Sequence, residues 1–402
     1  MTSYLLMAVF VVGCGLSVAA GAAAPPDPPW RFAEGTHRAL VRLSLAPGHA
    51  SSTRPVRLEL ADAAPLSAAP HVRAWDLTTD REVPAQADGS AVWIDAAGAL
   101  VPGREHRLHL YACTSPSPRP PAARVTGTFQ VETDAYTAQL DPAQGGAITS
   151  LQLKAGERRI ETLGDGIHWW VGRNPQVAQK KLGTVACEQT AAGPVFAAFR
   201  VSIPDLLGKG NSLTTEVRFF RGFLDVDHAF RVAMPTSVQW LKLPVSLRGT
   251  GSASGLHSNG QTTDAALLTA GQASRWHPDP RWHDVSYTGT EPFGLGVIAR
   301  GGLQGGLYFM DSVKADEHEW IYAEPFGWEK PVEVKADFAV NLTVVPHAAG
   351  PGQAAATLAG GDGAGTGRMG AFQARGGPPV DSDRDGLADL AELGFATNPD
   401  AA

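Results

Sequence analysis

Polar and apolar residues alternate in short runs along most of this chain, and Gly and Pro separate the runs. The clearest case is residues 130–160, where an alternating run ends at Asp141-Pro142. Gly145-Gly146 then tolerates positive φ, and the alternation resumes over residues 148–153. The pattern predicts a β-hairpin that opens a large β-sandwich.

The same pattern, taken over the whole chain, predicts an all-β protein. Five alternating runs in residues 31–114 recur at near-regular spacing, which predicts a small N-terminal β-sandwich; its Trp75 and Trp93 are expected in the core. Pro-rich residues 115–124 predict a semi-rigid linker, and residues 125–347 a second, larger sandwich. Residues 348–380 are rich in Gly and Ala and predict a flexible linker.

Two stretches carry a resemblance to a known fold. The hairpin LDP, GG, ITSLQLK and the later TEVRFFRGFLDVDHAFRV resemble strands of galactose-mutarotase-like sandwich domains. Such domains occur in polysaccharide lyases and as the sandwich after the catalytic domain of some glycoside hydrolases. The earlier PVRLEL, VRAWDLTTDREVPAQ and AVWIDAAGALVPGREHRLHLY resemble the accessory sandwich that precedes this domain in some exo-acting rhamnogalacturonan lyases. The resemblance implies a small sandwich followed by a mutarotase-like β-supersandwich.

The N-terminus predicts export. Residues 5–20 are almost entirely apolar and small residues follow, so residues 1–24 are interpreted as a secretory signal peptide. Val11-Val12-Gly13-Cys14 also fits a lipobox, which would make Cys14 a lipidated N-terminus. The apolar run is short for a membrane span, so none is predicted. We therefore expect a secreted, periplasmic or cell-surface protein.

The net charge excludes two classes of partner, and the cysteines leave the disulfide question open. The formal net charge of -7 predicts no nucleic-acid or anionic-membrane partner, because both need clustered Lys and Arg. Cys113 and Cys187 remain after the signal peptide. One disulfide and two buried free thiols both fit the sequence.

Trp, His, Arg and Asn cluster in the second sandwich, a composition that suits sugars. Aromatic faces contact the apolar side of a pyranose ring, and Arg captures a uronate carboxylate in bidentate fashion. We expect the ligand to be an acidic polysaccharide. The predicted substrate-binding residues are Trp169, Trp170, Arg173, Asn259, Arg275, Trp276, Trp282, Trp320 and Trp328.

The favoured chemistry is β-elimination by a polysaccharide lyase. A base removes the proton α to the uronate carboxylate, an acid protonates the leaving oxygen, and a cation neutralises the carboxylate. The predicted catalytic residues are His257, His283, Tyr287 and Arg281. The competing interpretation of each is a structural hydrogen bond in a loop.

Other activities stay open. A glycoside hydrolase needs two opposed carboxylates. Candidates without a pairing pattern are Asp284, Glu317, Glu319 and Glu324. A mutarotase would pair a His with a Glu, for instance His257 with Glu324. A non-catalytic carbohydrate-binding module is the third class. Residues 317–319 alternate across a strand, which argues against a shared metal ion.

The C-terminus carries a specific calcium motif over residues 381–400. Oxygen ligands fall at the spacing of a calcium loop with Gly386 at its sharp turn. The segment resembles thrombospondin type 3 and dockerin repeats, which implies bound Ca²⁺. One copy does not predict cohesin docking, since a working dockerin pairs two. The predicted metal ligands are Asp381, Asp383, Asp385, Leu387, Asp389 and Glu392.

Overall fold

The chain is all-β, as the alternation predicts. The computed structural model describes residues 29–45, 54–60, 62–96, 100–101, 103–155, 159–160, 170–171, 177–206, 210–238, 241–248, 252–258, 263–267, 276–277, 282–288, 293–301, 306–311, 318–324, 326, 331–348 and 365–375. Those from Arg31 onward belong to one compact unit, Arg31–Gly377. No helix among the described residues has the length and apolar character to cross a membrane.

The first sandwich packs two antiparallel sheets face to face. One sheet has the order β1-β7-β3-β4 and the other β2-β6-β5. A short helix, α1 (Ala64–Ala68), connects β2 and β3. The strands are β1 (Gly35–Leu45), β2 (Val56–Glu59), β3 (His71–Asp76), β4 (Arg81–Val83), β5 (Ala85–Asp88), β6 (Ala91–Ile94) and β7 (Glu105–Cys113).

Period-two burial explains why these segments form strands. In β3, the side chains of Val72, Ala74 and Asp76 are buried while those between them are half-buried. Buried residues of both sheets, such as Val41 and Val92, form one core cluster. The core therefore lies between the two sheets.

A five-stranded sheet, ordered β12-β11-β10-β9-β8, opens the second sandwich. The predicted hairpin is confirmed at β10 and β11, where Gly145 and Gly146 take φ values of 68° and 72°. A 3-10 helix, Pro142–Gln144, lies in the turn between them. The strands are β8 (Ala123–Gly127), β9 (Gln130–Thr133), β10 (Tyr136–Asp141), β11 (Ala147–Leu153) and β12 (Arg159–Ile160).

Two larger sheets complete the second sandwich. The six-stranded sheet has the order β14-β13-β20-β27-β26-β23, the nine-stranded sheet the order β15-β16-β17-β18-β29-β25-β24-β21-β22, and β19 pairs with β28. A second 3-10 helix is Gln179–Leu182. The strands are β13 (Trp170–Val171), β14 (Val177–Ala178), β15 (Ala186–Ala192), β16 (Ala197–Leu206), β17 (Asn211–Phe219), β18 (Leu224–Arg231), β19 (Thr236–Val238), β20 (Leu241–Arg248), β21 (Ser252–Ser258), β22 (Thr263–Leu267), β23 (Trp276–His277), β24 (Trp282–Thr288), β25 (Phe293–Gly301), β26 (Gly306–Asp311), β27 (His318–Glu324), β28 (Val332–Val334) and β29 (Phe338–His347).

The core of the second sandwich lies between its five- and nine-stranded sheets. Leu151 of the first sheet and Phe219 and Val344 of the second are fully buried in one cluster. Ala323 of β27 joins the same cluster, so the six-stranded sheet also contributes.

Part of the predicted flexible linker 348–380 is structured. Strand β30 (Gly365–Met369) and strand β31 (Gln373–Ala374) both pair antiparallel with β1. The Gly and Ala content that suggested a linker does not prevent pairing, because strand hydrogen bonds come from the backbone. The chain thus returns to the first sandwich after completing the second.

Aromatic residues join the two sandwiches. Trp93 of β6 is 7% exposed, as expected of a core Trp, but its neighbours belong to the second sandwich. Its ring lies 5.7 Å from that of Phe196 and 5.5 Å from that of Phe220. The first sandwich therefore covers one face of the nine-stranded sheet, and the other face covers the core.

Candidate functional site on the large sandwich

Strands β21 and β24 bring two of the predicted catalytic residues together. The Cα of His257 is the register partner of the Cα of His283, and Tyr287 pairs with Ala253 on the same two strands. Register partners in an antiparallel pair lie about 4.5–5.5 Å apart at Cα. The backbone therefore places His257 and His283 side by side.

A carboxylate residue extends this row. Asp264 on β22 is the register partner of His257. Three neighbouring strands thus carry Asp264, His257 and His283 in line at the edge of the nine-stranded sheet. Sequence reasoning missed Asp264, because a two-residue turn at Asn259-Gly260 would place Thr262, and not Asp264, opposite His257. The backbone register therefore makes Asp264 the cross-strand neighbour of His257.

His283 lies inside the sandwich. Its side chain is 0% exposed, and its row continues through Val297 and Val344, which belong to the core cluster. Residues in one row of an antiparallel sheet share a face. A substrate has no direct access to His283 in this arrangement, so a direct catalytic role for it is not favoured.

Trp282, predicted as a sugar platform, is part of the junction between the sandwiches. Its side chain is 5% exposed and packs in the cluster that contains Trp93, Phe196 and Phe220. Burial on both sides leaves no ring face for a sugar. In the structure Trp282 is therefore a core residue, which is the usual alternative to sugar binding for a Trp on a strand.

Asp284 follows His283 and therefore points to the opposite face. There Ser286 Oγ donates to Asp284 Oδ1 at 2.6 Å, and His347 Nε2 lies 2.8 Å from Asp284 Oδ2. All three side chains are buried. The serine bonds the carboxylate and not the histidine, so this cluster differs from a nucleophilic Ser-His-Asp triad.

Two glycines of β25 make this cluster feasible. Strands β24 and β29 flank β25, so their backbones are two strand spacings apart, about 10 Å. Gly294 and Gly296 occupy the positions between His347, Ser286 and Asp284. Because glycine has no side chain, the Asp284 carboxylate and the His347 ring meet above β25. These two glycines of β25 thus make room for the buried hydrogen bond between Asp284 and His347.

A charged network on the same face binds the first sandwich. Arg54 donates to both oxygens of Asp225 at 2.8 and 2.7 Å, and Thr343 Oγ1 donates to Oδ1 at 2.5 Å. Arg300 donates to Asp227 Oδ1 at 2.5 Å and to Thr343 Oγ1 at 3.0 Å. The carboxylates of Asp225 and Asp227 are therefore both paired with arginines. Neither offers the solvent-facing carboxylate that a glycosidase acid or nucleophile requires.

Comparison with known proteins identifies carbohydrate-active neighbours. An α-mannosidase from Enterococcus faecalis V583 aligns with 83% of this chain and 46% of its own at 9% identity and a TM-score of 0.54. A glycosyl hydrolase family 38 protein from Enterococcus faecalis aligns with 85% and 48% at 10% identity and a TM-score of 0.53. The likeness is one of fold. The chain spans about half the length of these two structures.

A galactose mutarotase-like protein from Lactobacillus casei ATCC 334 aligns with 55% of the chain and 100% of its own, at 10% identity and a TM-score of 0.40. The sequence matches no protein-family model, and no curated protein matches it. The fold shared with the mannosidase covers both sandwiches, because it includes more than four-fifths of the residues.

Within this shared fold, three predicted sugar-binding tryptophans lie in the six-stranded sheet. Trp170 is in β13, Trp276 in β23 and Trp320 in β27. The two histidines and Tyr287 lie in the nine-stranded sheet. Strand β24 also contacts β26 and β27, which brings the two sheets together along this strand.

Several predicted site residues lie outside the described part of the chain. No group of three or more His, Cys, Asp or Glu that could hold a metal ion occurs among the described residues. The calcium ligands therefore stay predictions, as do the remaining binding residues. The residues outside the described ranges are Trp169, Arg173, Asn259, Arg275, Arg281, Trp328, Asp381, Asp383, Asp385, Leu387, Asp389 and Glu392.

The cysteine question is settled in favour of two thiols. Cys113 is buried in the first sandwich, Cys187 is half-buried on β15, and both are free. Burial raises the pKa of Cys113 to about 12 and that of Cys187 to about 11. Thiolate is the reactive form, so neither residue is a candidate nucleophile.

Proposed function

We propose that this protein is a secreted carbohydrate-active protein that acts on an acidic glycan. The observation that carries the proposal is the two-sandwich fold, shared over 83% of the chain with an α-mannosidase. The Trp-, His- and Arg-rich segments of the second sandwich also have a composition that suits sugar binding. Export is an expectation from residues 1–24 and is part of the proposal.

The proposed reaction is β-elimination at a uronate, with the row at the edge of the nine-stranded sheet as its centre. His257 takes the proton α to the carboxylate, and Asp264 orients its ring. Tyr287 returns a proton to the leaving oxygen, so the C–O bond breaks as the C=C bond forms. Arg281, Arg275 and Asn259 neutralise the carboxylate. Buried His283 acts as a positioning residue beside His257.

The register of β21, β22 and β24 supports this division of roles. His257 stands between a carboxylate residue and a second histidine. The full burial of His283 favours His257 for contact with substrate. A glycan that reaches the sheet at this edge meets β22 and β21 before β24.

The test is absorbance at the unsaturated-uronate band during incubation with pectic, alginate and glycosaminoglycan substrates. We expect a rise with the unmodified protein and a loss of at least about a hundredfold in rate with His257→Ala, as for other general bases. His37→Ala, in the first sandwich, is the matched control and keeps the rate. An unchanged rate in His257→Ala contradicts the assignment.

A second candidate is a non-catalytic or hydrolytic partner within a longer glycoside hydrolase system. It is favoured by the match to only 46% of the mannosidase. Measurement of reducing ends and of retention on glycan affinity gels separates the cases. New reducing ends without an unsaturated product support hydrolysis, and retention without any product supports a binding module.

We also propose that residues 381–392 bind Ca²⁺. The spacing of oxygen ligands in this segment suits a calcium loop, in which the carboxylates of Asp383 and Asp385 coordinate the ion directly. Calorimetric titration of the full chain with Ca²⁺ tests this. Asp385→Asn should weaken binding, whereas Asp134→Asn, in a hairpin turn of the large sandwich, should leave it unchanged.

A further inference from the structure

A cleft of about 510 Å³ lies where three parts of the chain meet. Strands β3 and β5 of the first sandwich form one side and residues 116–121 the second. The third side is residues 190–194 of the large sandwich, which are the end of β15 and the turn that follows it. Ligand pockets in proteins are about 300–1,000 Å³. The cleft is therefore large enough for a sugar residue and part of its neighbour.

The floor of the cleft is fixed before any ligand arrives. Gln86 is 7% exposed, and its Oε1 accepts hydrogen bonds from the backbone N–H groups of Val195 at 3.1 Å and Phe196 at 3.0 Å. A Cβ at Gly193 would lie 2.5 Å from that oxygen. The turn thus rests directly on the Gln86 amide. A preformed site loses less entropy on binding than one that must be ordered.

The side chains that line the cleft offer mainly hydrogen-bond donors. Arg119 is 40% exposed, and His71 and Gln86 also line the space. The Oε1 of Gln86 already accepts two hydrogen bonds, so the Nε2 donor is the part of its amide that a ligand can use. No described lining residue carries a carboxylate. In a chain of net charge -7, such a lining selects an anion.

The carboxylate of Glu82, which lies beside Ser117 and Arg119 of the lining, is already paired. Arg73 donates to both oxygens of Glu82 at 2.9 and 2.8 Å, and Ser117 donates at 3.0 Å. Although burial by itself raises the pKa of Glu82, these hydrogen bonds lower it overall, so the group stays ionised and paired. Arg119 contacts Glu82 through the main-chain oxygen at 2.5 Å, with its Nε 4.0 Å from the carboxylate. Arg119 therefore retains donors for a ligand.

Four prolines contribute rigid apolar surface to the walls, at Pro70, Pro116, Pro121 and Pro194. Rigid apolar surface beside an arginine matches the C–H face and the carboxylate of one sugar ring. We propose that this cleft is a binding subsite for a hexuronate residue of the glycan. The choice of a uronate rests on the proposed function. Arg119 binds the carboxylate, and His71 and Gln86 bind hydroxyl groups.

The test follows the alanine methyl signals of the full-length protein by NMR during titration with a galacturonate trisaccharide. Ala85, Ala87 and Ala191 line the cleft and report binding there. We expect their signals to shift with the acidic trisaccharide, and its affinity to fall about ten- to a hundredfold in Arg119→Gln, as for a charged hydrogen bond. Arg221→Gln, whose side chain is 59% exposed near Asp134, is the control and keeps the affinity.

The inference is overturned by a galactose trisaccharide of the same linkage that binds as tightly, by a folded Arg119→Gln protein with unchanged affinity, or by shifts confined to other alanines. Acetate that binds as tightly as the trisaccharide also overturns it, because only the anion is then recognised. Cleft shifts in a protein that forms no unsaturated product support the cleft and remove the elimination. Formation of the unsaturated product without shifts of the cleft alanines supports the elimination and overturns the cleft as a subsite.

Discussion

The ion pair between Arg54 and Asp225 should control how firmly the two sandwiches are joined. Arg54 precedes β2 of the first sandwich, and Asp225 lies on β18 of the second. The side chains are 11% and 2% exposed, and the carboxylate accepts two hydrogen bonds from Arg54 and one from Thr343. Arg300 Nε adds a charge 3.4 Å away. Asp225→Asn keeps the shape and removes the charge.

The expected cost is large, because two nearly buried guanidinium groups lose a carboxylate. Removing one partner of a buried pair costs about 3–5 kcal/mol. Asparagine keeps one carbonyl oxygen that can accept from Arg54, so the expected loss is near the lower figure, about 3 kcal/mol. Glu333→Gln provides the control: its pair with Lys335 at 2.8 Å is 56% and 66% exposed and contributes less than about 1 kcal/mol.

Urea denaturation followed by tryptophan fluorescence measures both variants. Trp93 and Trp282 lie in the junction, so their emission reports its opening. The double variant Arg54→Gln/Asp225→Asn should lose about 0.5–3 kcal/mol less than the sum of its single variants, since the pair is lost once. An Asp225→Asn free energy of unfolding within about 1 kcal/mol of the unmodified protein would refute the reasoning.

Three further predictions test other parts of the fold. Gly145→Ala should lower stability, because φ is 68° and a Cβ would lie 2.0 Å from the Gln179 carbonyl oxygen; a far smaller effect of Gly89→Ala, where φ is 60° and space is open, is the comparison. Burial lowers the pKa of His228 to about 4. The unfolded chain therefore binds the proton first, and stability should fall as the pH falls from about 6.5 to about 4; a His228→Gln variant should lose that part of the slope in urea titrations. Cys113 should resist alkylation by iodoacetamide at pH 8 unless urea is added, since its thiol is buried with a pKa of about 12.

Local patterns were enough to predict the hairpin at β10 and β11. Its period of two and its two glycines act within about twenty residues, and the side chains of Tyr136, Ala138 and Leu140 are buried as the alternation requires. The order of the nine-stranded sheet could not be predicted in this way. Strand β29 pairs with β18, more than a hundred residues earlier, and such pairings depend on the packing of whole sheets.

The return of β30 and β31 to β1 escaped prediction for a related reason. Residues 365–374 have few large apolar side chains, so no period of two is visible. They pair because β1 offers an unpaired edge next to β7 and the backbone supplies the hydrogen bonds. The composition of a segment indicates how much apolar surface it can bury. A strand that is held mostly by backbone hydrogen bonds buries little, so its composition does not reveal it.

The candidate site shows where alternation stops being informative. His283 and Asp284 are neighbours on β24, so they must point to opposite faces. In a sheet with one solvent-exposed face, either His283 or Asp284 would be exposed, and the alternation in the sequence could identify which of the two is accessible to substrate. Here the core covers one face and the junction with Trp93 covers the other, so both side chains are 0% exposed. Toward the sheet edge the next strand is β21, and its His257 is therefore where the proposed chemistry is best tested.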